Sequence, residues 1–393
     1  MAYLTRVEPH PYFSFQFFSG RGPGNSMPAP LDRPSVRFYL RASNAIWNAV
    51  KLLGLSSDDS ILLPSYHCGI ELDAVLKADV RATFYSVGKD IKIDIEAIRG
   101  KIDSKTRAVF VTHYFGIPQE LRPLRELCDR AGIFLIEDCA HGLFGRQGNL
   151  PLGTVGDFSV FSMWKMVPIP YGGALLVNRP DLPLPPEGLR PSRYEFLRVM
   201  KKLLEIRFKS SRMLDVWLRK PLMDPLSAAI RRANRLFSND QWTKRPVDNP
   251  IFCAERGNWG IPPLSLRLLA RVDPAQVVQR RRAHFETLLK TTEGVEGLKP
   301  LVPSLPEGAC PLYFPVILEE AERFVTFMQG RGIAANRFWS EFHPAFPKEE
   351  YPETNFLKTR AVILPIHQDL TVDALDRLCD GIRQWGRKGT RNA

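Results

Sequence analysis

No stretch of this 393-residue chain approaches ~20 uninterrupted apolar residues, so no membrane-spanning helix is expected. Met1 to Phe18 lacks a basic segment followed by an apolar one, so no secretory leader is expected either. The six cysteines, at 68, 128, 139, 253, 310 and 379, form no C-x-x-C pair and no metal-ligand spacing. That excludes a zinc motif, leaves no metal site to expect, and suits reduced thiols in a cytoplasm. G-x-S-x-G is missing, so a hydrolase nucleophile elbow is not supported. G-x-x-x-x-G-K-[ST] is missing too, and with it the phosphate-binding P-loop. The glycines of GRGPGNS, residues 20–26, neither follow a strand pattern nor open a helical one, and read as a loop.

The charge is uneven. Of the formal +12, residues 179–245 carry +9, with sixteen Lys or Arg against seven Asp or Glu. One basic segment without a zinc-finger or RNA-binding pattern does not indicate nucleic acid. The plainer reading is a solvated helical insertion at about 179–250. The other is a basic face for phosphorylated ligands or a peripheral contact with an anionic membrane surface.

From about residue 35 to 178, strand-like and helix-like runs alternate. Ser43 is placed as the N-cap of a helix carrying Ile46, Ala49, Val50 and Leu53 on one face. Strands are expected near 61–63, 80–85, 107–115 and at FLIE (134–137), with helices between them. Pro118 is expected to open one helix and Gly132 to close it. From about 256 a long helix is expected through LLARVDPAQVVQRRRAHFETLL, then strand, helix, strand and helix again. The fold class is therefore α/β: a large domain over 1–255 with a mainly parallel sheet, and a smaller C-terminal α/β domain over 256–393.

In such sheets ligands bind beyond the carboxyl ends of the strands. The polar residues expected there are Ser43 and Asn44, Tyr66 and His67, His113, Asp138 and His141, and Ser162 and Lys165. Singly, each has a bland reading: a turn residue, a structural histidine, a snorkelling lysine. Together they are the set that pyridoxal phosphate chemistry requires. A lysine amine bonds the aldehyde, a carboxylate keeps the ring nitrogen protonated, and hydroxyls at a helix N-terminus receive the phosphate.

The blocks LIEDCAHGLFG, GTVGDFSVFS, then Lys165 and, seven residues later, Gly-Gly resemble the DegT/DnrJ/EryC1/StrS aminotransferases. SNAIWNAVKLLGLSSDDSILLPSY, THYFGIPQELRPLRELCDRAG and RAVILPIHQDLTVDALDRLCDGI are similar to other stretches of that family. The resemblance implies a fold-type I pyridoxal-phosphate-dependent transferase, normally a homodimer. It implies an amino-acid donor, glutamate in the family, and a keto-sugar acceptor, in many members nucleotide-linked. By position it makes Lys165 the Schiff-base lysine and Asp138 the partner of the ring nitrogen. His141 would lie near the phenolic oxygen, and Ser162, Ser43 and Asn44 near the phosphate. The ring-stacking aromatic falls at Cys68, which passes that role to His67 or Tyr66. Two residues separate Ser162 from Lys165 where the family has four, and PIPY stands before Gly-Gly. Two alternatives keep the fold: a sugar dehydratase, whose relatives replace the lysine with histidine, and a non-catalytic regulatory or binding protein.

Overall fold

The computed structural model describes residues 7–11, 26–189 and 252–389. Most of the basic 179–250 segment lies outside the described residues. A seven-stranded sheet runs through the first part of the chain in the order β1-β9-β8-β5-β4-β2-β3. Its strands are β1 (Val36–Tyr39), β2 (Ser60–Pro64), β3 (Arg81–Tyr85), β4 (Thr106–Thr112), β5 (Phe134–Asp138), β8 (Phe158–Ser162) and β9 (Gly173–Val177). β3, β2, β4, β5 and β8 are mutually parallel, whereas β9 runs antiparallel to β8 and β1 antiparallel to β9. The central strands are buried along their whole length, as Ser60–Pro64 and Phe158–Ser162 show. Burial on both faces is why they read as continuous apolar runs without alternation.

Four helices connect these strands: α1 (Ala42–Leu52), α2 (Ile70–Leu76), α3 (Ile95–Arg99) and α4 (Arg122–Ala131). Two of their starts differ from the sequence reading. Arg41, in extended backbone, is the N-cap of α1, and Ser43 lies inside the first turn. The α4 helix begins at Arg122 with Pro123 in its first turn, so Pro118 lies in the preceding loop. Gly132 does end that helix, in the left-handed conformation (φ 65°) that glycine adopts without strain.

The C-terminal part builds a four-stranded antiparallel sheet, β10-β11-β13-β12, from β10 (Lys299–Pro300), β11 (Tyr313–Ile317), β12 (Asn336–Arg337) and β13 (Ala361–Pro365). The two-residue strands β6 (Arg146–Gln147) and β7 (Leu150–Pro151) form a separate hairpin. The helices of the C-terminal part are α5 (Pro263–Leu269), α6 (Pro274–Thr291), α7 (Ala321–Gln329), α8 (Pro352–Arg360) and α9 (Val372–Gly389). The single long helix expected from about 256 is thus two. Asp273 caps α6, its Oδ1 accepting from the N–H groups of Ala275 (3.0 Å) and Gln276 (3.3 Å), and Pro274 cannot continue a helix from α5.

Buried polar residues join the two parts. Lys358 on α8 donates from Nζ to the carbonyls of His67 (2.8 Å), Trp339 (2.7 Å) and Glu341 (2.8 Å). Burial lowers its pKa to about 8 against the attraction of Cys68, Glu71 and Glu341. Arg281 on α6, fully buried, donates to Gln368 Oε1 (2.9 Å) and to the carbonyls of Pro311 and Leu312. Gln368 in turn donates to the carbonyl of Met166 (3.0 Å), one residue past Lys165.

Candidate active site

A cavity of about 420 Å³ opens at the carboxyl ends of the parallel strands. Ser43 and Arg41 at the start of α1, Cys68 and Glu71 after β2, Asp138 at the end of β5, Ser162 at the end of β8 and Lys165 just past it all line it. Trp164, Tyr171 and Phe252 supply its aromatic wall. A larger hollow of about 580 Å³ lies between the ends of α6 and α9, but its lining, with Lys290, Glu293 and Arg383, includes none of the strand-end residues. The chemistry is in the smaller cavity.

The lysine sits where it does because β8 ends in a short turn. Met163–Lys165 form a single 3₁₀ turn, closed by the Met166 N–H to the Met163 carbonyl (3.0 Å), and the Met163 N–H ties its start to the Gly172 carbonyl (3.0 Å). Met163 and Met166 are buried on either side, while Lys165 is half-buried and lines the cavity. Its amine has no hydrogen-bond or ion-pair partner among the described residues.

The start of α1 is held against β9 by one glycine. A Cβ on Gly173 would lie 2.1 Å from the Arg41 carbonyl carbon and 2.5 Å from the Ala42 nitrogen. Only glycine permits that approach. It brings the first turn of α1, where Ala42 and Ser43 N–H groups have no intrahelical acceptor, to the cavity wall. On the Gly172 side the neighbours are side-chain ends, with Ile169 Cδ1 at 3.0 Å.

Asp138 is buried, and its Oδ1 accepts from the Ala140 N–H (2.8 Å). Burial, then the negative charge of Glu71, raise its pKa to about 6, against the attraction of Lys165. Beside it, Glu137 points to the other face of β5. It accepts from the N–H groups of Gly153 (2.8 Å), Val155 (2.7 Å) and Gly156, and from His113 Nε2 (3.2 Å). Burial pushes the Glu137 carboxyl up, but the His113 bond and these backbone donors outweigh it and hold the pKa below the usual value. His113 Nδ1 accepts from the Gln119 N–H (3.0 Å), which puts the ring proton on Nε2 toward Glu137. His113, Glu137 and Cys139 bring one ligand atom each within 4.8 Å of one another. With Glu137 already serving four donors, they form a structural node that fixes the end of β5.

Asn44, Tyr66, His67 and His141, like His113, are expected from the sequence at this mouth of the sheet but do not line the cavity. Asn44 turns back into the protein, Nδ2 donating to the carbonyls of Arg256 (2.6 Å) and Gly257 (3.0 Å). His67 stacks on Phe84 (centroids 5.6 Å) and meets Phe346 edge-on, so it does not take the ring-stacking place. Its nitrogens lack partners among the described residues, and burial, then Lys358 and His343, lower its pKa to about 3. Tyr66 also points elsewhere, its hydroxyl donating to the Phe338 carbonyl (3.3 Å). Cys68, the next residue along, is the one that faces the cavity. His141 packs against Phe338 and Trp339 behind the wall, with Nδ1 accepting from the Phe115 N–H (3.3 Å). Burial and then the charge of Lys165 keep its pKa well below the usual range.

The donor set fits pyridoxal phosphate. The cavity holds an unpartnered amine, a buried carboxylate with one oxygen fixed, two hydroxyls and a helix N-terminus. Comparison with known proteins points the same way. Residues 41–183 match the model of the DegT/DnrJ/EryC1/StrS aminotransferase family. Over 140 residues the chain is 29% identical to the GDP-perosamine synthase of Vibrio cholerae, covering 35% of this chain and 38% of that one. Over 145 residues it is 30% identical to the L-glutamine:2-deoxy-scyllo-inosose aminotransferase of Streptomyces kanamyceticus, covering 36% and 34%. These matches thus span well under half the length of the curated relatives. In fold, a sugar aminotransferase from Micromonospora echinospora superposes with a TM-score of 0.62 over 98% of this chain and 100% of that one, at 19% identity. An aminotransferase of Helicobacter pylori involved in pseudoaminic acid biosynthesis gives 0.64 over 90% and 87%, at 16% identity. The likeness in fold therefore covers most of the chain, while the family match covers residues 41–183, which carry every cavity residue named above except Phe252. Among the described residues, no helix is long and apolar enough to cross a membrane.

The sequence reading missed Glu71, Arg41, Trp164, Tyr171 and Phe252. Glu71 sits in the first turn of α2, where an acidic residue is ordinary. Phe252 comes from a point distant in sequence and carried no signal. Trp164 and Tyr171 flank Lys165 and the Gly-Gly pair, and their place beside the lysine was the available sign.

Proposed function

We propose that the protein is a pyridoxal-phosphate-dependent aminotransferase that moves an amino group from an amino-acid donor, glutamate by family resemblance, to a keto-sugar, nucleotide-linked by the same resemblance. The observation that carries this reading is that Lys165 and Asp138 line one cavity with the first turn of α1. The relatives' names support the acceptor class, since they include a GDP-perosamine synthase and an inosose aminotransferase. By the same resemblance the protein works as a homodimer, and its scattered cysteines suit reduced thiols in a cytoplasm.

When bound, pyridoxal phosphate supplies an aldehyde that takes up an amine and a ring that stabilises negative charge at the neighbouring carbon. Asp138 would hold the proton on the ring nitrogen through the oxygen not engaged by Ala140. Ser43, Ser162 and the first N–H groups of α1 would bind the phosphate, a placement favoured by ~0.3–1 kcal/mol or more. Lys165 Nζ would hold the cofactor at its aldehyde carbon, and its amine is the group placed to move a proton at the donor's α-carbon. Trp164, Tyr171 and Phe252 would exclude water from that carbon. His141, kept uncharged by its surroundings, would stand behind the lysine without adding a second cation.

Absorbance tests the reading. The purified protein mixed with pyridoxal phosphate should gain a visible band that L-glutamate or L-glutamine removes and a keto-sugar restores. A protein that binds the cofactor but answers to neither donor is not this aminotransferase.

A further inference from the structure

Once Asp138, Lys165, the two serines and the α1 terminus have their places, a second carboxyl group of the cavity wall is left over. Glu71 is only 6% exposed, yet it lines the cavity, and its Oε2 lies 2.9 Å from Cys68 Sγ. Burial, then Glu71 itself, push the Cys68 thiol well above its ordinary pKa, so the sulfur keeps its proton and donates it to the carboxylate. The thiol thus fixes the orientation of Glu71 at the position where the sequence reading sought a ring-stacking aromatic. The cavity wall therefore carries two buried carboxylates, Glu71 and Asp138, with the Lys165 amine and the Arg41 guanidinium.

We propose that Glu71 and Asp138 form a carboxylate pair that receives the single cationic N–H of a pyridinium ring, Glu71 being the positioning member that strengthens the hold of Asp138 on that proton. The inference rests on the pyridoxal phosphate reading above. Two like charges in a desolvated site repel, and a cation placed with them relieves both the repulsion and the cost of burial. In its absence the repulsion shows on Asp138, whose affinity for a proton rises with Glu71 beside it. Lys165, His113 and Cys139 face Asp138, Cys68 and Lys358 face Glu71, Tyr114 faces both, and Arg41 lines the same cavity. Lys358 is held by three backbone carbonyls and Lys165 is assigned to the aldehyde, so neither replaces the ring cation.

Glu71→Gln keeps the shape and can still accept from Cys68, and it removes the charge. Two titrations read the effect without turnover. In the cofactor-free protein labelled with ¹³C-aspartate, the Asp138 carboxyl midpoint should fall from about 6 toward the ordinary carboxylate range. Glu71→Asp, which keeps the charge, should retain most of the elevation. In protein loaded with ¹⁵N-pyridoxal phosphate, the ring nitrogen's midpoint should drop by about one pH unit in Glu71→Gln, a tenfold weaker hold on the proton. An unchanged Asp138 midpoint overturns the pair, whatever the cofactor does. A changed Asp138 midpoint with an unchanged ring nitrogen overturns the role assigned to it. If the parent protein takes up no pyridoxal phosphate, the aminotransferase reading fails, and the ring-proton role fails with it. The aspartate titration still decides whether the carboxylates are paired.

Discussion

Lys165, Asp138, Ser162 and Ser43 were legible in the sequence because polar residues at the ends of apolar strands converge by topology alone, and the structure puts all four on one cavity. His67 and Asn44 lie off the cavity for a geometric reason. Successive residues leaving β2 alternate in direction, so choosing Cys68 or His67 for the cavity means choosing a face, and the sequence marks no face once the strand has ended. Asn44 lies next to Ser43, but one step around a helix is about 100° of turn, which carries its amide to the Arg256 and Gly257 carbonyls. At this scale Asp138→Asn should still bind pyridoxal phosphate and lose its single-turnover rate with glutamate by about a hundredfold or more, the usual cost of removing one preorganised electrostatic partner. Stopped-flow absorbance measures it, and a rate within a few-fold of the parent would remove Asp138 from the role.

At the scale of the element, strands and helices were readable where periodicity or unbroken apolarity was strong, and their ends were not. Nothing in the local sequence marks Arg41 as the N-cap of α1, because the cap is set by the packing of Arg41 on Gly173, a contact between residues far apart in the chain. The same contact gives a prediction. Gly173→Ala would drive a Cβ into the Arg41 backbone, which cannot swing aside, and should cost about 3 kcal/mol or displace the start of α1. Gly172→Ala meets only side-chain ends and should cost about 1 kcal/mol or less. Urea unfolding of the two variants measures the contrast, and weakened cofactor binding should accompany the first alone. Equal costs would mean that the glycine does not position α1.

Over the whole molecule, the alternation of strands and helices disclosed the large parallel sheet. The stitches to the smaller sheet had no signature, since Lys358, Arg281 and Gln368 act through carbonyls and amides that sequence does not place. The buried histidines do leave a measurable mark. His67, His141 and His367 all have pKa values depressed first by burial, so each must stay unprotonated in the native state. Below the ordinary histidine value the unfolded chain binds protons at these sites and the native one resists them. By linkage, their contribution to stability is present above the unfolded histidine value and is lost as pH falls. Asp138 acts in the opposite sense, since its raised pKa lets the native state hold a proton between about 6 and the ordinary carboxylate value. With His284, also depressed first by burial, four histidines stand against one aspartate, so unfolding takes up protons below the ordinary histidine value and the protein should lose stability as pH falls from 7 to 5. Urea midpoints at pH 7, 6 and 5 test the slope. A midpoint that rises as pH falls over this range would contradict the burial of the histidines.

The central claim is that one lysine in one cavity bonds the cofactor. Borohydride reduction of the protein with pyridoxal phosphate, followed by protease digestion and mass spectrometry, tests it directly. The reduced cofactor should appear on the peptide carrying Lys165, and on none from a folded Lys165→Ala variant. The cofactor recovered on another lysine, or on the variant to the same extent, would contradict the claim.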